Sequence, residues 1–193
     1  LEQIEPFKPE FRFNRMVSGF KKLDDGRFEV MTDENEILVC KAVVIAAGGG
    51  SFQPKRPPVP GIEEYEGSSV FYSVRRIEDF RDQDLLIVGG GDSALDWTLN
   101  LQPVAKSVTL VHRRPEFRAA PDSVNKMFAL NEKDELDFQV GQVKELKGTD
   151  GKLEGAVIKG PDGDVEVACT RLLPFFGLTM KLGPIADWGL NLH

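Results

Sequence analysis

Read for apolar periodicity, the chain has β-like ends and a mixed centre. From 85 to 145, short apolar runs alternate with stretches of helical spacing. Leu85-Leu86-Ile87-Val88 predicts a short buried strand, and Asp92 to about Leu101 a helix with Ala94, Leu95, Thr98 and Leu99 along one face. Val108-Thr109-Leu110-Val111 predicts a second strand, Pro121 to Leu130 a second helix, and Leu136-Asp137-Phe138-Gln139-Val140 a third strand. Strands alternating with helices imply a parallel sheet.

Residues 1–56 read mostly as β structure. Phe28-Glu29-Val30 leads through the polar turn Asp33-Glu34-Asn35 into Ile37-Leu38-Val39. Ala42 to Ala47 is a continuous apolar run ending at Gly48-Gly49-Gly50, which predicts a strand buried on both faces. Residues 145–178 repeat this layout: an Asp-Gly turn, a strand, a second acidic turn, a strand, and an apolar run ending in Gly. Only the second copy has a glycine-rich loop ahead of it, at Gly89, so the chain is expected to be one complete module preceded by the tail of another. The lack of an initiating Met points the same way. Between the copies, Pro54, Pro57, Pro58 and Pro60 cannot enter a sheet or helix interior and predict an extended linker. Expected boundaries are 1–56, 57–178 and 179–193. The expected fold class is α/β: a Rossmann-like doubly wound parallel sheet with an added β-hairpin or meander layer.

Composition narrows the classes. The chain has 193 residues, 41% hydrophobic and 28% charged, the balance of a globular protein with a core. The net charge of −7 argues against a nucleic-acid or anionic-membrane partner. No apolar run approaches the roughly 20 residues that span a bilayer, and the acidic start Leu1-Glu2-Gln3-Ile4-Glu5 is unlike a signal peptide. Cys40 and Cys169 lie far apart in apolar, strand-like stretches, with neither C-x-x-C nor metal-ligand spacing. They read as two reduced, buried thiols, and a cytoplasmic location is the default.

The chemistry concentrates at Gly89-Gly90-Gly91-Asp92-Ser93-Ala94, a match to G-x-G-x-x-[G/A] placed directly after a strand and at a helix start. Gly89 permits the tight turn, Gly91 lets backbone approach a pyrophosphate, and small Ala94 allows close helix–strand packing. The helix start offers free N–H groups and positive dipole, and Ser93 can add a hydroxyl. The bland alternative is an ordinary glycine turn. The end of the second strand decides which dinucleotide is bound. An acidic residue there would take a ribose hydroxyl, but this chain has His112-Arg113-Arg114, with Arg118 close behind. Guanidinium forks suit a 2′-phosphate, at about 1.5–3 kcal/mol per charged hydrogen bond before a discount for exposure. NADP(H) is therefore expected over NAD(H). The competing reading leaves the arginines solvated or paired with Glu116 and Asp122. His112 reads equally as a packing residue or a ligand contact.

These residues carry a resemblance. Gly89 to Trp97, Ser107 to Arg114 and Phe117-Arg118-Ala119 together resemble the thioredoxin-reductase-like flavoproteins. Val44 to Gly50 is similar to that superfamily's A-T-G linker, with Ala in place of Thr, and Leu182 to Leu190 is similar to a stretch of its ferredoxin–NADP⁺ reductase branch. Thioredoxin reductases carry C-x-x-C shortly before the second glycine motif. Here that region is Tyr72-Ser73-Val74-Arg75-Arg76-Ile77, without cysteine, which excludes electron transfer through that dithiol. The resemblance implies that NADPH passes hydride to FAD and that the flavin passes single electrons to ferredoxin or flavodoxin. On that basis 1–56 is part of an FAD domain, 57–178 the NADP(H) domain, and 179–193 the return to the FAD domain. It also implies FAD contacts at Val17 and Phe52, a homodimer, and no catalytic acid or base on this chain. Alone, the chain is expected to bind NADP(H), to hold FAD poorly or not at all, and to be inactive. Lys55, Arg56, Arg75 and Arg76 are candidates for docking an acidic ferredoxin. A monooxygenase, a disulfide reductase with a displaced redox pair, and a non-catalytic NADP module remain as alternatives.

Overall fold

A computed structural model describes residues 3–48 and 51–191, with residues 51, 52 and 180 described by backbone alone. The chain divides into two compact units: Leu1–Gln53 with Met180–His193, and Pro54–Thr179.

In the first unit, β1 (Val17–Lys22), β2 (Phe28–Thr32) and β3 (Ile37–Cys40) form an antiparallel meander in sequence order. Its turns fall at the Asp-Gly pair 25–26 and at the polar turn Asp33-Glu34-Asn35, as expected. Gly26 (φ +83°) and Asn35 (φ +62°) supply the left-handed residues. Phe20 stacks on Phe28 at 5.3 Å and on Trp188 at 5.2 Å. Among the described residues of this unit Thr32 alone is fully buried. The run Ala42–Ala47 departs from expectation: it forms no strand, and Val44 is 89% exposed. An apolar run becomes a central strand only where another strand completes its ladder, and no described strand pairs with 42–47. Gly49 and Gly50 of the same expected linker lie outside the described residues. Cys40 is half-buried rather than buried, because it ends the edge strand β3.

β4 (Ser51–Pro54) precedes the second unit, which opens on the proline segment. Pro57 and Val59 are buried there, and Val59 joins the unit's core. Then come β5 (Asp84–Val88), α1 (Asp92–Leu101), β6 (Ser107–His112), α2 (Pro121–Asn131) and β7 (Asp137–Val140). The meander β8 (Gln142–Thr149), β9 (Lys152–Gly160) and β10 (Gly163–Ala168) follows, then β11 (Arg171–Pro174) and β12 (Leu178–Lys181). Strands β11-β5-β6-β7 form one parallel sheet in that order, while β12 pairs with β4.

Period-2 alternation assigns the layers. Leu85 and Ile87 of β5 face α1 and α2, packing with Ala94, Leu95, Leu101 and Met127. Leu86 and Val88 face the meander, packing with Leu146, Leu153, Ala156 and Ile158. Both helices therefore cover one face of the sheet, and the added β layer covers the other. Burial of both faces explains the continuous apolar runs. Each fully buried Leu contributes about 1.5–3 kcal/mol by area transfer. The meander is stapled at its tip: Ser68 and Ser69 hydroxyls donate to the Gly151 carbonyl at 2.6 and 3.2 Å, and the Leu153 amide donates to Ser69 Oγ at 3.1 Å. Among the described residues no helix is long and apolar enough to cross a membrane.

Candidate functional site

The site forms where β5 ends. Pairing on both edges, with β11 and β6, holds β5 rigid up to Val88, and the Gly89 amide still donates to the Val111 carbonyl at 3.0 Å. A Cβ on Gly89 would lie 2.8 Å from Ala94 Cβ and 2.9 Å from the Phe175 carbonyl oxygen, so the turn is packed to contact with glycine alone. A Cβ on Gly90 would lie against Cε1 and Nε2 of the His112 ring, well inside contact distance. Above Gly91, the N-cap of α1, no atom lies within 4 Å of where a Cβ would be. Among the described residues the amides of Gly90, Gly91, Asp92 and Ser93 have no hydrogen-bond acceptor. Free donors at a helix start that opens on empty space at Gly91 are the arrangement that favours an anion.

The loop after β6 is hung over this turn by two bonds. The Arg118 amide donates to the Gly90 carbonyl at 2.8 Å, and the Ala120 amide donates to Asp92 Oδ1 at 2.8 Å. Arg113, Arg114 and Arg118 are exposed, and among the described residues none makes an ion pair. Asp122 is engaged by Lys126 at 2.7 Å, which removes one of the partners the sequence offered them. His112 is half-buried and stacks on Phe117 at 5.3 Å. Burial, then the charges of Arg113 and Arg114, hold its imidazole below its ordinary value and so favour the neutral ring.

These groups share one cavity of about 650 Å³, within the size of small-molecule sites. It sits at the carboxyl ends of the parallel strands β11, β5 and β6. Gly89, Gly90, Gly91, His112, Arg113, Arg114 and Arg118 line it. Asp92, Ser93 and Ala94 do not: Ala94 is buried beneath Gly89, and the Asp92 carboxylate is turned to Ala120. Val17, half-buried in β1, belongs to the other unit, and the Phe52 side chain lies outside the described residues.

Sequence reasoning missed the far wall. Pro57, Pro58, Phe175, Phe176 and Gly177 complete the cavity. They come from two segments remote from the motif, although residues just past a strand of a parallel sheet are where such a search should look. Beside Pro57, Arg56 grips Glu66 through two bonds of 2.8 and 2.6 Å, and the Tyr72 hydroxyl donates to the same carboxylate at 2.6 Å. Glu66 is held low by Tyr72 and then Arg56, while burial pushes Tyr72 up to about 12. Arg56 and Arg76, the latter on Asp79 at 2.7 Å, are therefore already paired, whereas Lys55 and Arg75 have no ion pair among the described residues. Cys169 is 1% exposed, and burial pushes its thiol up to about 12. No metal-ligating group of three or more exists among the described residues.

A parallel sheet with helices on one face, a meander on the other and this cavity at its carboxyl edge is the architecture of thioredoxin-reductase-like, two-dinucleotide-binding proteins. The structure is similar to Lactococcus lactis thioredoxin reductase, with a TM-score of 0.74 and 28% identity over 91% of this chain and 56% of that one. In fold alone it is also similar to T. acidophilum thioredoxin reductase, with a TM-score of 0.77 at 21% identity, covering 100% of this chain and 62% of that one. The chain belongs to the pyridine nucleotide-disulphide oxidoreductase family, whose model matches residues 4–186. It is 77% identical to the ferredoxin–NADP reductase of Mesorhizobium japonicum and 60% identical to that of Parvibaculum lavamentivorans, over 100% of its own length in both cases. It spans 57% of the length of each.

Proposed function

We propose that this chain is the NADP(H)-binding part, with flanking portions of the FAD-binding part, of a flavoprotein that carries electrons between NADPH and ferredoxin or flavodoxin. The carrying observation is the cavity itself: the acceptor-free amides of Gly90 and Gly91, at the start of α1, share one space with three guanidinium groups that have no ion pair among the described residues. The residues present fit a phosphorylated dinucleotide. The amides of Gly90, Gly91, Asp92 and Ser93 would take the diphosphate, Gly89 and Ala94 would keep the turn tight, and Arg113, Arg114 and Arg118 would hold the 2′-phosphate. His112 would support the adenosine end with its neutral face. The named activity of the relatives supports the redox role.

When bound, NADP(H) supplies hydride and FAD converts that pair into single electrons. This chain's residues orient the dinucleotide and neutralise its charge, and none is assigned as acid or base. Val17 and Phe52 are proposed FAD contacts in the whole protein, which we place in the cytoplasm as a homodimer. A disulfide-reducing role fits less well, because 72–77 has no cysteine and Cys169 is buried with its thiol held protonated.

Calorimetric titration of the chain with NADP⁺ and NAD⁺ tests the binding reading, and preference for NADP⁺ by at least tenfold is expected. Equal weak binding of both would overturn it. The redox role is tested on the full-length, FAD-loaded protein with NADPH and ferredoxin or flavodoxin, where failure of transfer to both would overturn it.

A further inference from the structure

The cavity is polarised. Every charged side chain in its wall comes from 113–118, after β6, whereas the wall on the β11 side is made by Pro57, Pro58, Val59, Phe175 and Phe176. The glycine turn after β5 lies between these ends. Neighbouring strands stand about 4.8 Å apart, so β11 and β6 end roughly 10 Å apart, on opposite sides of the turn.

We infer that Phe176 is the aromatic plate for the nicotinamide ring. This rests on the NADP(H) reading above. With the diphosphate on the β5 turn and the 2′-phosphate on the arginines, the second nucleoside has one direction left, toward β11. Phe176 is held there. The Phe175 amide donates to the Val88 carbonyl at 2.7 Å, and Phe175 also presses on Gly89, which fixes the backbone one residue earlier. One residue later Gly177 (φ +85°) turns the chain, and its carbonyl accepts from the Lys55 amide at 3.0 Å. Between these anchors Phe176 lines the cavity and is 44% exposed. A large ring left open on a rigid support, at an end without charge, suits a flat heteroaromatic ring and not a second phosphate. Offset stacking suits the reduced ring, and the cationic oxidised ring gains further over a phenyl face.

The test compares the chain with Phe176→Ala, titrating NADP⁺ and 2′,5′-ADP, which keeps the phosphorylated adenosine and lacks nicotinamide. Phe176→Ala should weaken NADP⁺ about fivefold to tenfold, the size of one aromatic stacking contact, and leave 2′,5′-ADP within twofold. Phe176→Trp should retain NADP⁺. Unchanged NADP⁺ binding by Phe176→Ala, or an equal loss for both ligands, would overturn the assignment while leaving the dinucleotide reading intact. If the unaltered chain binds neither ligand, the dinucleotide reading fails, and this inference with it.

Discussion

The amide of Arg118 donates to the carbonyl of Gly90 at 2.8 Å. That bond fixes the arginine loop to the very turn whose amides face the cavity, so cationic side chains and free donors move as one piece. Preorganisation of this kind lowers the ordering cost of binding. It also means that the arginines contribute charge without holding the fold, since they have no ion-pair partner among the described residues.

Replacing Arg113 and Arg114 together with Ala should therefore leave thermal stability nearly unchanged and erase the preference for NADP⁺. We expect affinity for NADP⁺ to fall about tenfold to a hundredfold, after discounting charged hydrogen bonds for solvent exposure, with NAD⁺ binding unaltered. The NADP⁺ affinity of the unaltered chain should also weaken as salt rises. Isothermal calorimetry at two ionic strengths measures both effects. A parallel loss for NAD⁺ would place the arginines elsewhere.

Gly90 and His112 should behave as a coupled pair. A methyl at 90 would lie well inside contact distance of the imidazole, which is itself backed by Phe117, so Gly90→Ala must displace the ring. Overpacking of this kind costs about 1–3 kcal/mol. Adding His112→Ala to Gly90→Ala should recover much of that loss, a non-additivity that urea unfolding of the four-member cycle reads directly. Simple addition of the two penalties would show that the ring does not cover Gly90.

Much of this was legible in the chain, and the failures are instructive. Helix α1 and its glycine turn were readable because motif, strand–helix placement and periodicity agree over 84–101. The run 42–47 has the same apolar signature as Leu172-Leu173-Pro174, yet the latter is a buried strand and the former is not. The difference lies outside the run: β11 has β5 beside it, and composition cannot register a partner. The cavity's apolar wall was invisible for a related reason. Pro57 and Phe176 are joined by folding across more than half the chain, and neither carries a motif. The Arg56–Glu66–Tyr72 cluster likewise shows that charge counted along a sequence overstates the free cations on a surface.

Stability should respond to pH through His112. Its folded value lies below the ordinary 6.5, so the unfolded chain binds a proton there more readily than the folded one. The sign follows: stability is full above about 6.5 and is lost as pH falls from there through the lower folded value. Urea unfolding should show lower stability at pH 5.5 than at pH 8, with most of that difference absent in His112→Gln. Glu66 and Asp84 are held below their ordinary 4.5 and 3.8 and respond only at more acidic pH. An equal pH effect in His112→Gln would assign the titration to another group.

The two thiols should separate cleanly in reactivity, and with them two views of the chemistry. Cys40 is half-buried at the end of an edge strand, with its sulfur 3.8 Å from the Phe28 carbonyl oxygen. Cys169 is buried, and both burial and the nearby Asp84 hold its thiol protonated up to about 12. Because the thiolate is the reacting species, exposure and acidity act together on the rate. Ellman's reagent should titrate one thiol in the folded chain within minutes and the second only after unfolding in urea, and Cys40→Ser should leave the folded chain inert. Fast reaction of both thiols would restore a dithiol route to consideration. The expected single reactive thiol before unfolding would rule out a dithiol route through Cys40 and Cys169.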